Sequence, residues 1–139
     1  MNARTSAPLK TALVVASDLE ALTAFQTALT GNGYVVIIAR DLPTALLAIT
    51  QHYFDLAIVS SRLGEGGDGW PLAGVLHLVF PRAFIAVLIP GDPDVMTLQS
   101  AINNGVSEIY DQAVRPADIV TSVVAQAPGA SHRGSVGVQ

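Results

Sequence analysis

The sequence predicts an α/β fold in which a doubly wound, five-stranded parallel sheet is combined with five helices. Two observations lead to this prediction. Five short apolar runs alternate along the chain with five segments of helical length. The runs are apolar throughout rather than at every second residue, which indicates strands that are buried on both faces of a sheet.

The predicted strands are rich in valine, isoleucine and leucine and are bounded by polar residues, glycine or proline. They lie at residues 11–15, 34–39, 55–59, 84–88 and 108–110.

Capping residues and prolines mark where the helices begin. Ser17 and Glu20 form a Ser-x-x-Glu capping box ahead of the first helix. Asp41 is expected to cap the second helix, with Pro43 in its first turn. The other helices are expected to begin at Trp70, Asp92 and Arg115, each of which is followed by a proline.

A single domain accounts for the chain length of 139 residues. For five strand–helix units, the flavodoxin-like strand order 2-1-3-4-5 is the most economical arrangement. We expect the domain to span residues 10–127, after an N-terminal extension at 1–9. Residues 128–139 contain glycine, serine and few large apolar side chains, so we expect a disordered tail.

The composition argues against several functional classes. The net charge is -4 and the seven Lys and Arg residues are scattered, so we expect no nucleic-acid binding by this chain. Cysteine is absent, which removes disulfides, thiolate nucleophiles and Cys-based metal sites. His52, His77 and His132 have no metal-ligand spacing, and we expect neither a metal nor a cofactor.

No apolar run approaches the ~20 residues that cross a bilayer, and the first eight residues lack the apolar core of a secretory signal. We therefore expect a cytoplasmic protein without a membrane partner. Only 13% of the residues are charged, against roughly 25% in a typical soluble domain. This weakly charged surface favours a protein interface.

Within residues 10–126, the strand pattern at 54–59 is followed by Arg62, Leu63 and Gly69. These residues resemble the third strand, and the loop that follows it, of the receiver domains of two-component signalling. Residues 101–106 are similar to the end of the family's fourth helix. The patterns occur in the family's order and at its spacing.

The resemblance implies where the family's phosphorylation residues would lie, and every such position departs from the family. Ala16 and Ser17 replace the acidic pair, Ser60 replaces the phospho-acceptor aspartate, and Leu88 replaces the Thr or Ser after the fourth strand. The aromatic switch position, the lysine and its proline partner fall on Ile109, Gln112 and Ala113. Phosphoryl transfer needs carboxylates for the acceptor and for Mg²⁺, together with cationic and hydroxyl donors.

Nearby residues are not expected to rebuild this site. The only lysine, Lys10, precedes the first predicted strand. Asp18 is expected in the first turn of a helix, and Glu65 and Asp68 are expected to be solvated loop acids, with Asp68 capping the third helix. Asp111 alone does not make a Mg²⁺ site.

The expected function is therefore a degenerate receiver that acts as a phosphorylation-independent protein-interaction module and is not an enzyme. Two alternatives remain open: a flavodoxin-like domain that binds a small molecule in the vacated pocket, and a receiver phosphorylated through an unusual site. The expected partner is another signalling protein or a second copy of the chain, with a homodimer favoured.

The third and fifth predicted helices indicate where such an interface would lie. The third helix has His77 as its only polar residue, and the fifth is nearly uncharged. Both should therefore carry apolar side chains on an outer face as well as toward the sheet. The candidate interface residues are Trp70, Val75, Val79, Val120 and Val124.

Overall fold

The computed structural model describes residues 9–64 and 67–127. These residues form five strands, β1 (Lys10–Val15), β2 (Tyr34–Ala39), β3 (Leu56–Ser60), β4 (Phe84–Ile89) and β5 (Glu108–Asp111). They alternate with the helices α1 (Leu19–Thr30), α2 (Leu42–Gln51), α3 (Trp70–Val79), α4 (Val95–Asn103) and α5 (Pro116–Gln126). The strands pair in parallel in the order β2-β1-β3-β4-β5, which confirms the predicted fold class. Glu65 and the predicted tail at 128–139 lie outside the described residues.

Helices cover both faces of the sheet, as continuous apolar strands require. On one face, α2 and α3 bury Ala45, Ile49, Leu72 and Leu76 against the sheet. On the other face, α1 and α5 bury Phe25, Leu29, Ile119 and Val123. Among the described helices, none combines the length and the hydropathy that a membrane crossing requires.

Three helices begin at a different cap from the predicted one. In α3 the cap is Gly69 rather than Asp68, although the carboxylate of Asp68 accepts a hydrogen bond of 3.0 Å from the Trp70 amide. Asp18, rather than Ser17, caps α1, and its carboxylate accepts a hydrogen bond of 3.3 Å from the Glu20 amide. Asp94, rather than Asp92, caps α4 by accepting a hydrogen bond of 2.8 Å from the Thr97 amide. At the start of α1 and at the start of α4, two nearby side chains are competent caps. The position of the helix on the sheet decides between them.

The prediction that Val120 lies on the outer face of α5 was wrong. Val120 is only 1% exposed and packs in the α1–α5 core. Because α5 packs against both α1 and the sheet, the adjacent positions Ile119 and Val120 are both covered. Trp70, Val75 and Val124 are partly buried against the core, and Val79 is the one exposed residue of the predicted interface set.

The two faces of α3 supply a matched test of this packing. Leu76 is fully buried, whereas Leu78 is 81% exposed. Leu76→Ala should lower the free energy of unfolding by about 2–5 kcal/mol, because it leaves a cavity in the core. Leu78→Ala should change it by no more than about 0.5 kcal/mol. Urea denaturation of both variants checks this, and equal losses would contradict the described orientation of α3.

Candidate functional site

The strand register brings the predicted site residues to one edge of the sheet. Val15 of β1 pairs with Val59 of β3, and Ser60 pairs with Leu88 of β4. The pairing continues past the strand end, where the amide of Gln112 donates to the carbonyl of Ile89 at 2.7 Å. Since parallel strands end at the same edge, their terminal side chains surround a common crevice.

That crevice is a cavity of about 410 Å³, here called the edge cavity. Its lining includes five of the seven predicted site positions: Ala16, Ser17, Ser60, Leu88 and Gln112. These five positions therefore lie together at the edge of the sheet, and their functional role stays a prediction. Of the other two positions, Ala113 lines a neighbouring groove beside α1, and Ile109 packs into the core on the α3 side of the sheet.

The edge cavity has a mixed chemical lining. Ala16 and Leu88 are buried and give apolar walls, whereas Ser60 and Gln112 provide a hydroxyl and an amide. Neither of these two polar side chains makes a hydrogen bond within residues 9–64 and 67–127. The lining carries one carboxylate, that of Asp18, and one guanidinium, that of Arg62. A lone helix-capping carboxylate is not equipped to accept a phosphoryl group and to hold a metal at once.

The nearby carboxylates are engaged in local backbone contacts. Asp18 caps α1, as described above. Asp111 accepts hydrogen bonds from the amides of Ala113 at 2.9 Å and Gly91 at 3.4 Å, and it is not part of the edge-cavity lining. In the described ranges, no group of three or more Asp, Glu, His or Cys side chains converges in a way that could hold a metal ion.

The aromatic side chain of β5 lies on the face opposite Ile109. Tyr110 packs against the α1–α5 core, and its hydroxyl is 2.8 Å from the Ser122 hydroxyl. The Gln126 amide also donates to the Tyr110 hydroxyl, at 3.2 Å. Tyr110 is thus tied to α5, and the position facing α3 carries an aliphatic side chain.

Two surface features escaped the sequence analysis. The first is α4, which buries only Ala101 and leaves Val95, Met96 and Ile102 between 74% and 78% exposed. The sequence analysis made no prediction about which face of this helix is buried. The second is a polar cavity between the loops that follow β3 and β4, whose lining residues are far apart in sequence.

Comparison with known proteins gives matches in structure alone. No protein-family model matches the chain, and no curated protein matches its sequence. The fold is similar to the signal receiver domain of an HD domain-containing protein from Pseudomonas fluorescens Pf-5, with a TM-score of 0.75 and 26% identity, covering 92% of this chain and 99% of that chain.

Two further solved structures agree with this match. A CheY-like receiver domain protein from Methanospirillum hungatei JF-1 has a TM-score of 0.74 and 24% identity, covering 84% of this chain and 91% of that one. A response regulator from Burkholderia pseudomallei, solved with a phosphorylated aspartic acid, has a TM-score of 0.74 and 24% identity, covering 93% and 73%. The chain therefore has the receiver-domain fold of two-component signalling.

Proposed function

We propose that this protein is a degenerate receiver that works as a phosphorylation-independent interaction module in two-component-type signalling. It performs no catalysis, and its partners are other signalling proteins or a second copy of itself. The proposed setting is the cytoplasm, where such signalling proteins would meet.

The composition of the edge cavity carries this proposal. The five residues that replace the family's phosphorylation residues there supply two hydroxyls, one amide and no carboxylate. A serine at position 60 cannot form the acyl phosphate that an aspartate forms. Without an acid pair at Ala16 and Ser17, the cavity also lacks the paired carboxylates that would hold Mg²⁺, and Asp18 is its one carboxylate. Control of the fold by phosphorylation would therefore need chemistry that these residues do not offer.

The chain should take no phosphoryl group from acetyl phosphate in the presence of Mg²⁺, because Ser60 occupies the acceptor position. Intact-mass spectrometry of the incubated protein measures this, with a conventional receiver as the positive control. A stoichiometric gain of one phosphoryl group that hydroxylamine removes would contradict the proposal.

The exposed face of α4 supports the interaction role. Val95, Leu98 and Ile102 are spaced by three and four residues and therefore share one side of the helix. All three side chains are exposed, and α4 contains no charged residue. Burying such a surface is worth roughly 25 cal/mol per Å² before the costs of association. A neutral, apolar face can pack against the same face of a second copy of the chain across a two-fold axis.

We expect a homodimer at micromolar concentration whose dissociation constant rises by about tenfold or more in Ile102→Glu, because the substitution places a charge in the interface. Sedimentation velocity over a concentration series measures the change. Leu19→Glu is the matched control, since Leu19 is an exposed leucine on α1, which packs on the other face of the sheet from α3. A wild-type monomer at high micromolar concentration, or equal weakening by both variants, would refute self-association through α4.

A further inference from the structure

The polar cavity between the loops after β3 and β4, here called the α3–α4 cavity, has a volume of about 420 Å³. Its lining includes Ser61 and Asp68 from the first loop and Asp92 and Asp94 from the second. Trp70, the first residue of α3, forms part of the wall. This cavity is distinct from the edge cavity. Among the described residues that line the two cavities, Arg62 is the one that they share.

Ser61 is the most informative residue of the α3–α4 cavity. Its side chain is only 8% exposed. Among the polar and charged residues of the described ranges, Ser61 alone is buried. Its amide donates to the Leu88 carbonyl at 2.9 Å, and its carbonyl accepts from the Gly69 amide at 3.0 Å. Its hydroxyl makes no hydrogen bond within the described residues. Since a buried hydroxyl without a partner costs free energy, a group in the cavity that pairs with it would remove that cost.

The charges around Ser61 indicate the sign of that group. The lining includes three aspartates, Asp68, Asp92 and Asp94, and one arginine, Arg62. Hydrogen bonding from Thr97 holds the pKa of Asp94 below its ordinary value, which shows that the surroundings of this carboxylate favour its charged form. The lining therefore has an excess of negative charge and favours a cation.

The carboxylates of Asp68 and Asp94 are held in place by backbone contacts. Asp68 accepts a hydrogen bond of 3.0 Å from the amide of Trp70, and Asp94 caps α4. Asp92 makes no hydrogen bond within the described part of the chain, so its carboxylate is available to a ligand. Two acceptors are thus fixed and a third is free.

Trp70 favours an organic cation. A side chain at Gly69 would collide with the Ser60 carbonyl, so glycine there lets the loop return closely enough for Trp70 and Ser61 to line the same cavity. An indole ring attracts a guanidinium or ammonium group through its face. A guanidinium also carries five N–H donors in one plane, which can reach a hydroxyl and separate carboxylates together.

We propose that the α3–α4 cavity binds the guanidinium group of an arginine side chain from a partner protein. Asp92 and the Ser61 hydroxyl accept its hydrogen bonds, and Trp70 packs against its plane. This inference rests on the proposed interaction function and names the chemistry of the partner. The exposed side chain of Met96, two residues after Asp94, is positioned to cover an apolar residue that flanks the arginine.

The test uses the full chain and the peptide acetyl-Leu-Arg-Leu-amide as the probe. Trp70 is the only tryptophan, so its fluorescence reports on this cavity directly, and isothermal titration calorimetry gives the dissociation constant independently. We expect saturable binding that weakens with added salt. The same peptide with citrulline, which is uncharged and similar in shape, should bind about tenfold more weakly or worse, a factor that corresponds to ~1.4 kcal/mol.

Four variants separate recognition from folding. Asp92→Asn and Ser61→Ala should each weaken binding of the arginine peptide, and Ser61→Ala should not lower the free energy of unfolding, because its hydroxyl has no partner in the described chain. Arg62→Gln should tighten binding by removing a like charge. Glu108→Gln removes one negative charge at the opposite edge of the sheet and should leave binding unchanged.

Equal affinity for the arginine and citrulline peptides, unchanged affinity in Asp92→Asn or Ser61→Ala, or no saturable binding would each overturn the inference. These outcomes are independent of phosphoryl transfer. If the arginine peptide does not bind, the proposed phosphorylation-independent role is not contradicted. If the chain gains a phosphoryl group from acetyl phosphate, the peptide titration can still be interpreted.

Discussion

The pairing of β3 between β1 and β4 determines where every candidate functional side chain lies. Both faces of this central strand are buried, so its register is held by packing as well as by hydrogen bonds. Asp55, just before β3, adds to this register because its carboxylate accepts a 2.9 Å hydrogen bond from the Thr11 amide. With the register set, Ser60 pairs with Leu88. Ser61 is buried, and its carbonyl accepts a hydrogen bond from the amide of Gly69, just before α3. The edge cavity and the α3–α4 cavity are both consequences of this pairing.

The sequence predicted the fold and the edge cavity because both depend on local patterns. Continuous apolar runs identify buried parallel strands, and parallel strands bring their ends to one edge. Caps were harder to assign, since Ser17 and Asp18, or Asp92 and Asp94, are equally able to accept a bond from a helix N-terminus. Only the placement of each helix on the sheet distinguishes them.

The faces of α4 and α5 could not be read from spacing. Ile119 and Val120 are neighbours in sequence, and both are buried because α1 and the sheet cover α5 from two directions. In α4, the apolar stripe that includes Ile102 points outward, and Ala101 faces the protein. The Ser61 hydroxyl was equally hidden, because its lack of a partner depends on loops that lie far apart in sequence. Long-range packing, which periodicity does not encode, decides all of these cases.

Under the proposed function, the low charge of the chain and the residues that line the edge cavity have one physical meaning. A surface that no longer responds to phosphoryl transfer can be dedicated to constant contacts, and the neutral face of α4 beside an acidic cavity offers both apolar and ionic recognition. The receiver fold supplies a rigid frame for these contacts, with the sheet buried on both sides. Under the proposed function, the edge cavity has the geometry of a receiver site and differs from such a site in its chemistry.

Placing the receiver family's phosphorylation residues in the edge cavity tests the proposed function most directly. One variant would carry the family's residue types at the five positions that line the edge cavity: Ala16→Asp, Ser17→Asp, Ser60→Asp, Leu88→Thr and Gln112→Lys. With acetyl phosphate and Mg²⁺, this folded variant should gain one hydroxylamine-labile phosphoryl group by intact mass, and the same variant with Ser60 retained should gain none. A variant that folds, binds Mg²⁺ and still stays unmodified would contradict the claim that the receiver geometry is intact and only its chemistry is missing.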